Sequence, residues 1–150
     1  MATRERIAAR PRLLFILHPV TEKQLRQWSL LQRLEAHPAI ELRPRMDYFN
    51  FIRLVHYADF VISDGGSNQE ENYYLGKPCL LLRKASERVE GIGENCVLSG
   101  YDDAVIDDFV AHFERHRRPA VVLQRSPAAI ITDYLQNEFA QKSPLPQGEG

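Results

Sequence analysis

Residues 59–82 set a glycine turn between two apolar runs, and this stretch constrains the fold more than any other in the 150-residue chain. Asp59-Phe60-Val61-Ile62 reads as a buried strand. Ser63-Asp64-Gly65-Gly66-Ser67 is the turn. A short helix follows through Asn72-Tyr73-Tyr74-Leu75, and Gly76 can end it. Lys77-Pro78-Cys79-Leu80-Leu81-Leu82 then opens a second apolar strand. Strand, turn, helix and strand make one βαβ unit. The turn sits at the carboxyl end of a strand and the amino end of a helix. Backbone N–H groups there are unpaired and the helix dipole is positive, which suits a phosphate. Two adjacent glycines let a ligand approach the backbone closely. An ordinary strand-to-helix connection has the same pattern.

The flanking sequence repeats the alternation. Arg12 to Leu17 is apolar after its arginine and reads as a first strand covered on both faces, as in a parallel sheet. His18-Pro19 ends it. Thr21 has capping-box spacing to Gln24. Leu25, Trp28, Leu31 and Leu34 predict one helix face running to about His37, where Pro38 stops it. Ala39 to Arg43 is a short second strand. Asp47 is placed to cap a helix with Phe51, Leu54, Val55 and Ala58 on its apolar face. After the fourth strand, Arg83 to Glu94 is a polar loop, and Cys96-Val97-Leu98 is a fifth strand. Asp102 or Asp103 opens a helix striped by Val105, Ile106, Phe109, Val110 and Phe113. Ser126-Pro127 opens the last helix, with Ile130, Ile131, Tyr134 and Leu135 expected to face inward. Residues 1–11 read as a flexible leader, 12–141 as one domain, and 142–150 as a disordered tail rich in Pro and Gly.

Five strands alternating with helices predict an α/β fold with a doubly wound parallel sheet in the order 2-1-3-4-5. Ligands of such sheets bind at the carboxyl ends of the strands. His18, Arg43, Asp64 to Ser67 and Arg83 gather at that edge. Nineteen Lys and Arg against twenty Asp and Glu give a formal net charge of -1, so no nucleic-acid footprint is indicated. No apolar run approaches the ~20 residues of a membrane span. Cys79 and Cys96 lie in apolar runs with no CxxC, which predicts buried thiols in a reducing cytoplasm. The chain has no GxGxxG after its first strand, no Walker A loop and no GxSxG elbow.

Three segments in order carry a resemblance: Asp64-Gly65-Gly66-Ser67-Asn68-Gln69-Glu70-Glu71, then Leu75-Gly76-Lys77-Pro78, then Leu82 to Glu90. They resemble the DSGGxQEE, LGKP and LR-x-TTERPE elements of the UDP-N-acetylglucosamine 2-epimerase family. Tyr48-Phe49-Asn50-Phe51 resembles the family's YxxF. The likeness spans about residues 12–136 and corresponds to most of the second lobe of a two-lobed protein, the Rossmann-like half of a GT-B architecture. It implies that Phe51 stacks on uracil, that Gly65, Gly66 and Ser67 hold the diphosphate, that Glu71 binds the ribose hydroxyls, and that Arg88 lies near the phosphate. Each role suits its side chain: carboxylates accept hydroxyl bonds, arginine pairs with phosphate, and aromatic faces stack on bases. Taken singly, Phe51 reads as helix core. Glu70 and Glu71 read as partners of a helix dipole, and Arg88 with Glu87 and Glu90 as a solvated charge cluster.

The sequence departs from the family at several points. Gly65 replaces the family's serine, with Ser67 as a candidate substitute donor. Met46 stands where some members place a polar uracil contact, and the TTER element becomes Ala85-Ser86-Glu87-Arg88. By resemblance the catalytic carboxylates belong to a first lobe that this chain is expected to lack, so no catalytic residue is assigned within it. The second lobe's own first strand also lacks a counterpart. If that strand is central, the first and third strands here must close a gap or leave a defect.

The whole family protein is an isomerase that eliminates UDP and epimerises C2; no metal or nicotinamide cofactor is implied. The implied partners are UDP or a UDP-N-acetylhexosamine, together with a separate first lobe or a second copy, and neither nucleic acid nor membrane. The donor-binding half of a GT-B glycosyltransferase, and a non-catalytic nucleotide-sugar-binding module or gene remnant, are the alternative readings.

Overall fold

A computed structural model of the chain describes residues 13–142. The leader read over 1–11 lies outside them, as does the tail read over 142–150 apart from residue 142. The chain divides into two compact units, residues 1–120 and 121–150.

In the first unit, β1 (Leu13–Leu17) leads into α1 (Pro19–Gln27), α2 (Leu31–Glu35) and β2 (Ile40–Pro44). Next come α3 (Tyr48–Tyr57), β3 (Val61–Ser63), α4 (Gly66–Leu75) and β4 (Cys79–Leu81). A polar loop leads to β5 (Cys96–Leu98), then α5 (Asp103–His112) and a 3-10 turn (Phe113–His116). All the ladders are parallel, as the alternation requires. β1 pairs with β2 from Leu13 opposite Ile40 to Leu17 opposite Pro44. β4 lies between β3 and β5, with Cys79 opposite both Val61 and Cys96.

The expected order 2-1-3-4-5 is corrected at one joint. The neighbours 2-1 and 3-4-5 form, but no ladder joins β1 to β3, and the sheet stands as a two-stranded and a three-stranded piece. Ladder partners must approach to about 4.8 Å, and among the described residues β1 and β3 form no such ladder, the gap or defect expected at this joint.

The expected single helix from Thr21 to His37 is also corrected. Leu30 N–H donates to Leu25 O at 2.9 Å and Ser29 N–H to Arg26 O at 3.1 Å, with Ser29 at φ 54°. That pair of bonds is a Schellman motif, which ends α1 and leaves Trp28 63% exposed. The cap of α1 is His18 rather than Thr21: Val20 N–H donates to His18 Nδ1 at 3.3 Å. Pro19 follows at the first helical position, where its fixed φ is pre-set and its missing N–H costs nothing. His18 is therefore structural. Asp47 caps α3 as read, accepting from Asn50 N–H at 3.1 Å.

The core lies around β4, whose three residues are fully buried. Alternation sends Leu80 to one face, against Phe109 and Phe113, with Phe60, Ile106 and Val110 packed around them. Cys79 and Leu81 point to the opposite face with Cys96 and Leu98. Both cysteines are free and buried. Cys96 Sγ lies 3.8 Å from Gln69 O, which places α4 over this second face. Lys77 ties the helix that bears Phe51 to β4. Its Nζ donates to His56 O at 2.8 Å and Ala58 O at 2.6 Å, closing the carboxyl end of α3. Burial, then the Arg117 charge, lower its pKa.

The second unit holds α6 (Pro127–Lys142). Ser126 Oγ caps it, accepting from Ala129 N–H at 3.1 Å. Ile130, Ile131, Tyr134 and Leu135 are exposed, against the inward stripe expected from the sequence. A lone helix has no second element of its own unit to bury a face against.

Gly76 ends α4 at φ 62°, and a Cβ there would collide with the carbonyl oxygen of Arg118, whose own N–H donates to Gly76 O at 3.0 Å. Gly76→Ala is expected to destabilise the protein by roughly 1–3 kcal/mol, read from urea unfolding. A loss below about 0.5 kcal/mol, the scale of ordinary surface changes, would show that the Arg118 backbone yields freely.

Candidate functional site

The turn after β3 is shaped by a hydroxyl. Ser63 Oγ accepts from Gly65 N–H at 3.0 Å and from Asn68 Nδ2 at 2.9 Å. Gly65 is the cap residue of α4 and offers no side chain to it. The first bond of the helix runs from Gln69 N–H to Gly65 O at 3.2 Å. The preceding N–H groups, of Gly66, Ser67 and Asn68, precede that ladder and sit at the positive end of a ten-residue helix. Ser67 is exposed there. Ser63, rather than Ser67, supplies the hydroxyl that holds the turn.

Arg88 lies across this helix start. A Cβ on Gly66 would come within 2.6 Å of Arg88 Nε and 3.1 Å of Glu87 Oε1, so the absent side chain is what makes room for the guanidinium. Arg88 pairs with Glu70, and Glu87 pairs with Arg83 at 2.9 Å. Both charge readings made from the sequence change accordingly. Glu70 serves Arg88 across the site rather than only the helix dipole, and Arg88 and Glu87 pair with Glu70 and Arg83 respectively rather than with each other. Arg88 Nε is buried and, among the described residues, has no hydrogen-bond partner.

Gln69 holds the loop in place. Its fully buried side chain donates from Nε2 to Glu90 O at 2.8 Å and to Arg88 O at 3.2 Å. Its Oε1 accepts from Ser86 Oγ at 2.6 Å, and Ser86 Oγ accepts from Arg88 N–H at 3.2 Å. Three residues of the 83–94 loop are thus bonded to one side chain on α4 or to each other. Asn95 fastens the far end of the helix, donating to Asn72 O at 2.9 Å and Lys77 O at 2.8 Å. Beside Arg88 a cavity of about 350 Å³ is lined by Ser86, Arg88, Val89, Ile92 and Leu98.

Glu71 lies on α4 toward the start of α3. Burial, then the charge of Glu70, raise its carboxyl pKa, and a hydrogen bond from the Tyr48 side chain opposes them. Its Oε2 is buried without a partner among the described residues. Phe51 is half-buried one turn along α3 from Tyr48, on the same side of the helix. The structure therefore gathers Gly65, Gly66, Ser67 and Arg88 at the amino end of α4. Glu71 follows one turn on, and Phe51 is linked to it through Tyr48.

Sequence reasoning missed Ser63, Gln69, Ser86 and Tyr48 as the side chains that position the others. Gln69, Ser86 and Tyr48 stood inside quoted motifs and Ser63 just before one, but no periodicity marks any of the four. Chemically, the site combines free helix N–H groups, a guanidinium held by a carboxylate, and a desolvated acceptor lacking a donor. That arrangement suits a ligand with both anionic oxygens and hydroxyl groups.

Comparison with known proteins agrees with the motifs. The family profile described as UDP-N-acetylglucosamine 2-epimerase matches residues 1–127. A UDP-N-acetylglucosamine 2-epimerase of Methanococcus maripaludis is 35% identical over 91 residues, covering 60% of this chain and 25% of the relative. That of Methanocaldococcus jannaschii is 30% identical over 96 residues, 63% of this chain and 26% of the relative. The crystal structure of the M. jannaschii UDP-GlcNAc 2-epimerase in complex with UDP-GlcNAc and UDP superposes with a TM-score of 0.75 at 23% identity, over 90% of this chain and 39% of the other. The chain therefore spans about a quarter of the length of these curated relatives. Its fold is the Rossmann-like half of a GT-B-type architecture. With the profile matching 127 of 150 residues, and with the glycine turn, Gln69 and Arg88 interlocked in one place, the chain belongs to the UDP-N-acetylglucosamine 2-epimerase family.

Proposed function

We propose that residues 12–141 form a UDP-sugar-binding lobe that works with a first lobe from another part of the family's length. The carrying observation is the Arg88 guanidinium lying across bare Gly66 at the amino end of α4. It sets a cation, free N–H donors and an accessible backbone at one point, which is what a diphosphate requires. Gly65, Gly66 and Ser67 take the diphosphate there, and Arg88 turns from Glu70 alone to bridge Glu70 and phosphate. Glu71 accepts the ribose hydroxyls with the oxygen that is now unpartnered, and Phe51 stacks on uracil. The motif match supports these assignments, as do the UDP-GlcNAc and UDP named with the M. jannaschii structure.

The reaction is elimination of UDP followed by epimerisation at C2, and the product serves polysaccharide biosynthesis. Acid and base must flank C2 in a closed, water-free cleft, which one lobe cannot provide. The free, buried thiols Cys79 and Cys96 fit a cytoplasmic setting. Incubating the purified chain with UDP-N-acetylglucosamine and resolving the C2 epimers is expected to show no turnover. Turnover by the chain alone would place catalytic groups within these residues.

Glu71 gives a test with two opposite readouts. Because its carboxyl pKa is raised in the folded chain, the folded state holds the proton more tightly than the unfolded state. Ionised Glu71 thus costs stability above that pKa, and the cost fades as pH falls through it. Glu71→Gln is expected to raise the melting temperature at pH 7, with the gain shrinking toward acid pH. The same substitution removes a charged acceptor and should cost UDP binding roughly 1.5–3 kcal/mol, about tenfold or more. Calorimetric titration and thermal melts of one sample read both. Unchanged affinity would remove the ribose assignment.

Arg88 and Glu70 separate phosphate binding from helix electrostatics. Arg88→Ala is expected to weaken UDP about tenfold or more, as a lost charge-assisted pair does. Glu70→Ala should weaken it much less, since it frees the guanidinium and removes an anion beside the phosphate. Titrations showing the reverse order would detach Arg88 from the diphosphate.

A further inference from the structure

Ser63 has a hydrogen-bonding capacity that the turn does not use. A serine hydroxyl carries one O–H donor and two acceptor lone pairs. Ser63 Oγ accepts from Gly65 N–H at 3.0 Å and from Asn68 Nδ2 at 2.9 Å, which takes both lone pairs. The O–H itself meets no acceptor among the described residues. Asn68 is in the same position. Its side-chain amide has two N–H donors, one goes to Ser63, and the other meets no acceptor among the described residues. Ser63 is only 9% exposed, so its leftover donor is largely shut off from bulk water. A donor in such a place costs free energy unless an acceptor enters to meet it.

The room for that acceptor lies at Gly65. A Cβ there would sit 3.5 Å from Ser63 Oγ and 3.7 Å from Asn68 Nδ2, with Asn68 Cγ next at 3.8 Å. All three are ordinary contacts, so the position is open space bordered by the two unused donors. An oxygen atom seated slightly farther in would be within hydrogen-bond range of both. The backbone does not call for glycine here. Gly65 has φ -94° and ψ 132°, which any residue adopts. What the missing side chain provides is the opening. Gly66 differs, because Arg88 fills the space that its side chain would take. One bare position thus holds a cation, and the adjoining one faces two neutral donors. Both lie at the positive end of α4.

We infer that the bare side-chain position of Gly65 is a subsite for one phosphate oxygen, with the Ser63 O–H and the second Asn68 N–H as its donors. The surroundings select an atom that only accepts and carries negative charge, which describes an oxygen of a diphosphate. The inference rests on the diphosphate reading given above and adds two side chains to it. Ser63 Oγ then fixes the turn by accepting and holds the ligand by donating. Bonds in such a chain strengthen one another, so the ligand also tightens the turn that receives it. Asn68 stands at the open position of the DSGGxQEE element, so this donor pair belongs to this chain rather than to the motif. Ser67, the substitute donor expected from the sequence, is exposed and is not needed for it.

Calorimetric titration with inorganic pyrophosphate and with UDP tests this, with thermal melts to check each fold. Ser63→Ala is expected to weaken both probes about tenfold, as loss of a hydrogen bond to a charged group does. Adding Gly65→Ser to that variant puts a hydroxyl into the open space and is expected to recover most of the loss, whereas adding Gly65→Ala recovers none. In the otherwise unchanged chain, Gly65→Ser is expected to shift either affinity by less than about twofold, the non-additivity of two groups that serve one ligand atom. Equal recovery by serine and alanine, or an equal gain from Gly65→Ser with and without Ser63, would make Ser63 a brace of the turn alone and overturn the subsite. If Ser63→Ala does not fold, Gly65→Ala in the otherwise unchanged chain decides. It fills the space without backbone strain and is expected to weaken pyrophosphate about fivefold; undiminished affinity overturns the subsite. So does a wild-type chain that fails to bind millimolar pyrophosphate. The nucleoside contacts fail separately: if Glu71→Gln leaves UDP affinity unchanged while the Ser63 and Gly65 results hold, the ribose assignment falls and the phosphate subsite stands.

Discussion

The fully buried amide of Gln69 is the contact on which the site depends. Its Nε2 and Oε1 reach Arg88 O, Glu90 O and Ser86 Oγ, so a single α4 side chain sets the path of the following loop. Buried polar groups are costly unless they are satisfied, and a satisfied network in a low dielectric is rigid. The position of the Arg88 backbone is therefore tied to the helix whose first residue the Arg88 side chain overlies. Substituting a side chain that fills the same space without the amide would leave two carbonyls and a hydroxyl without their bonds. The loop, and the guanidinium with it, would then lose its register against Gly66.

The groups this scaffold presents are poorly matched to one another in the free chain. Arg88 has Glu70 as its ion-pair partner, yet among the described residues its buried Nε has no acceptor. Glu71 is held in a setting that disfavours its charge, and among the described residues its buried Oε2 has no donor. Asn72 Oδ1, farther along α4, is a third such atom. Asp47, by contrast, is a satisfied cap whose pKa is lowered by its bonds to Asn50. A lone acceptor and a lone donor group within two turns of one helix start are costs to folding. Proteins keep such costs where a ligand removes them.

Much of this was legible in the sequence because it is local. The βαβ unit at 59–82, the Asp47 cap and the stripe of α5 follow from spacing alone, and of the two candidates Asp102 and Asp103 it is Asp102 that caps α5. The ordered motifs located Gly65, Gly66, Glu71 and Arg88. What was not legible depends on partners distant in sequence or on competition between two plausible local signals. Thr21 had the capping-box spacing, but His18 followed by Pro19 won because proline fixes the first helical φ. Leu25, Trp28, Leu31 and Leu34 suggested one helix, and no residue type at Ser29 announces a left-handed stop. The Glu70–Arg88 pair and the bonds of Gln69 join residues about twenty apart, beyond any helical or strand period. The break between β1 and β3 was expected only as one of two outcomes, a closed gap or a defect, and the strand patterns do not choose between them.

The turn and the sheet meet at β3. Its three residues are Val61, Ile62 and Ser63. Among the described residues β3 is held laterally by β4, over three residues, and Ser63, its last residue, supplies the hydroxyl that holds Gly65 and Asn68 in the turn. A short strand has few bonds of its own, so the position of Ser63 Oγ, and with it the start of α4, rests on the β4 ladder and on the burial of β4 in the core.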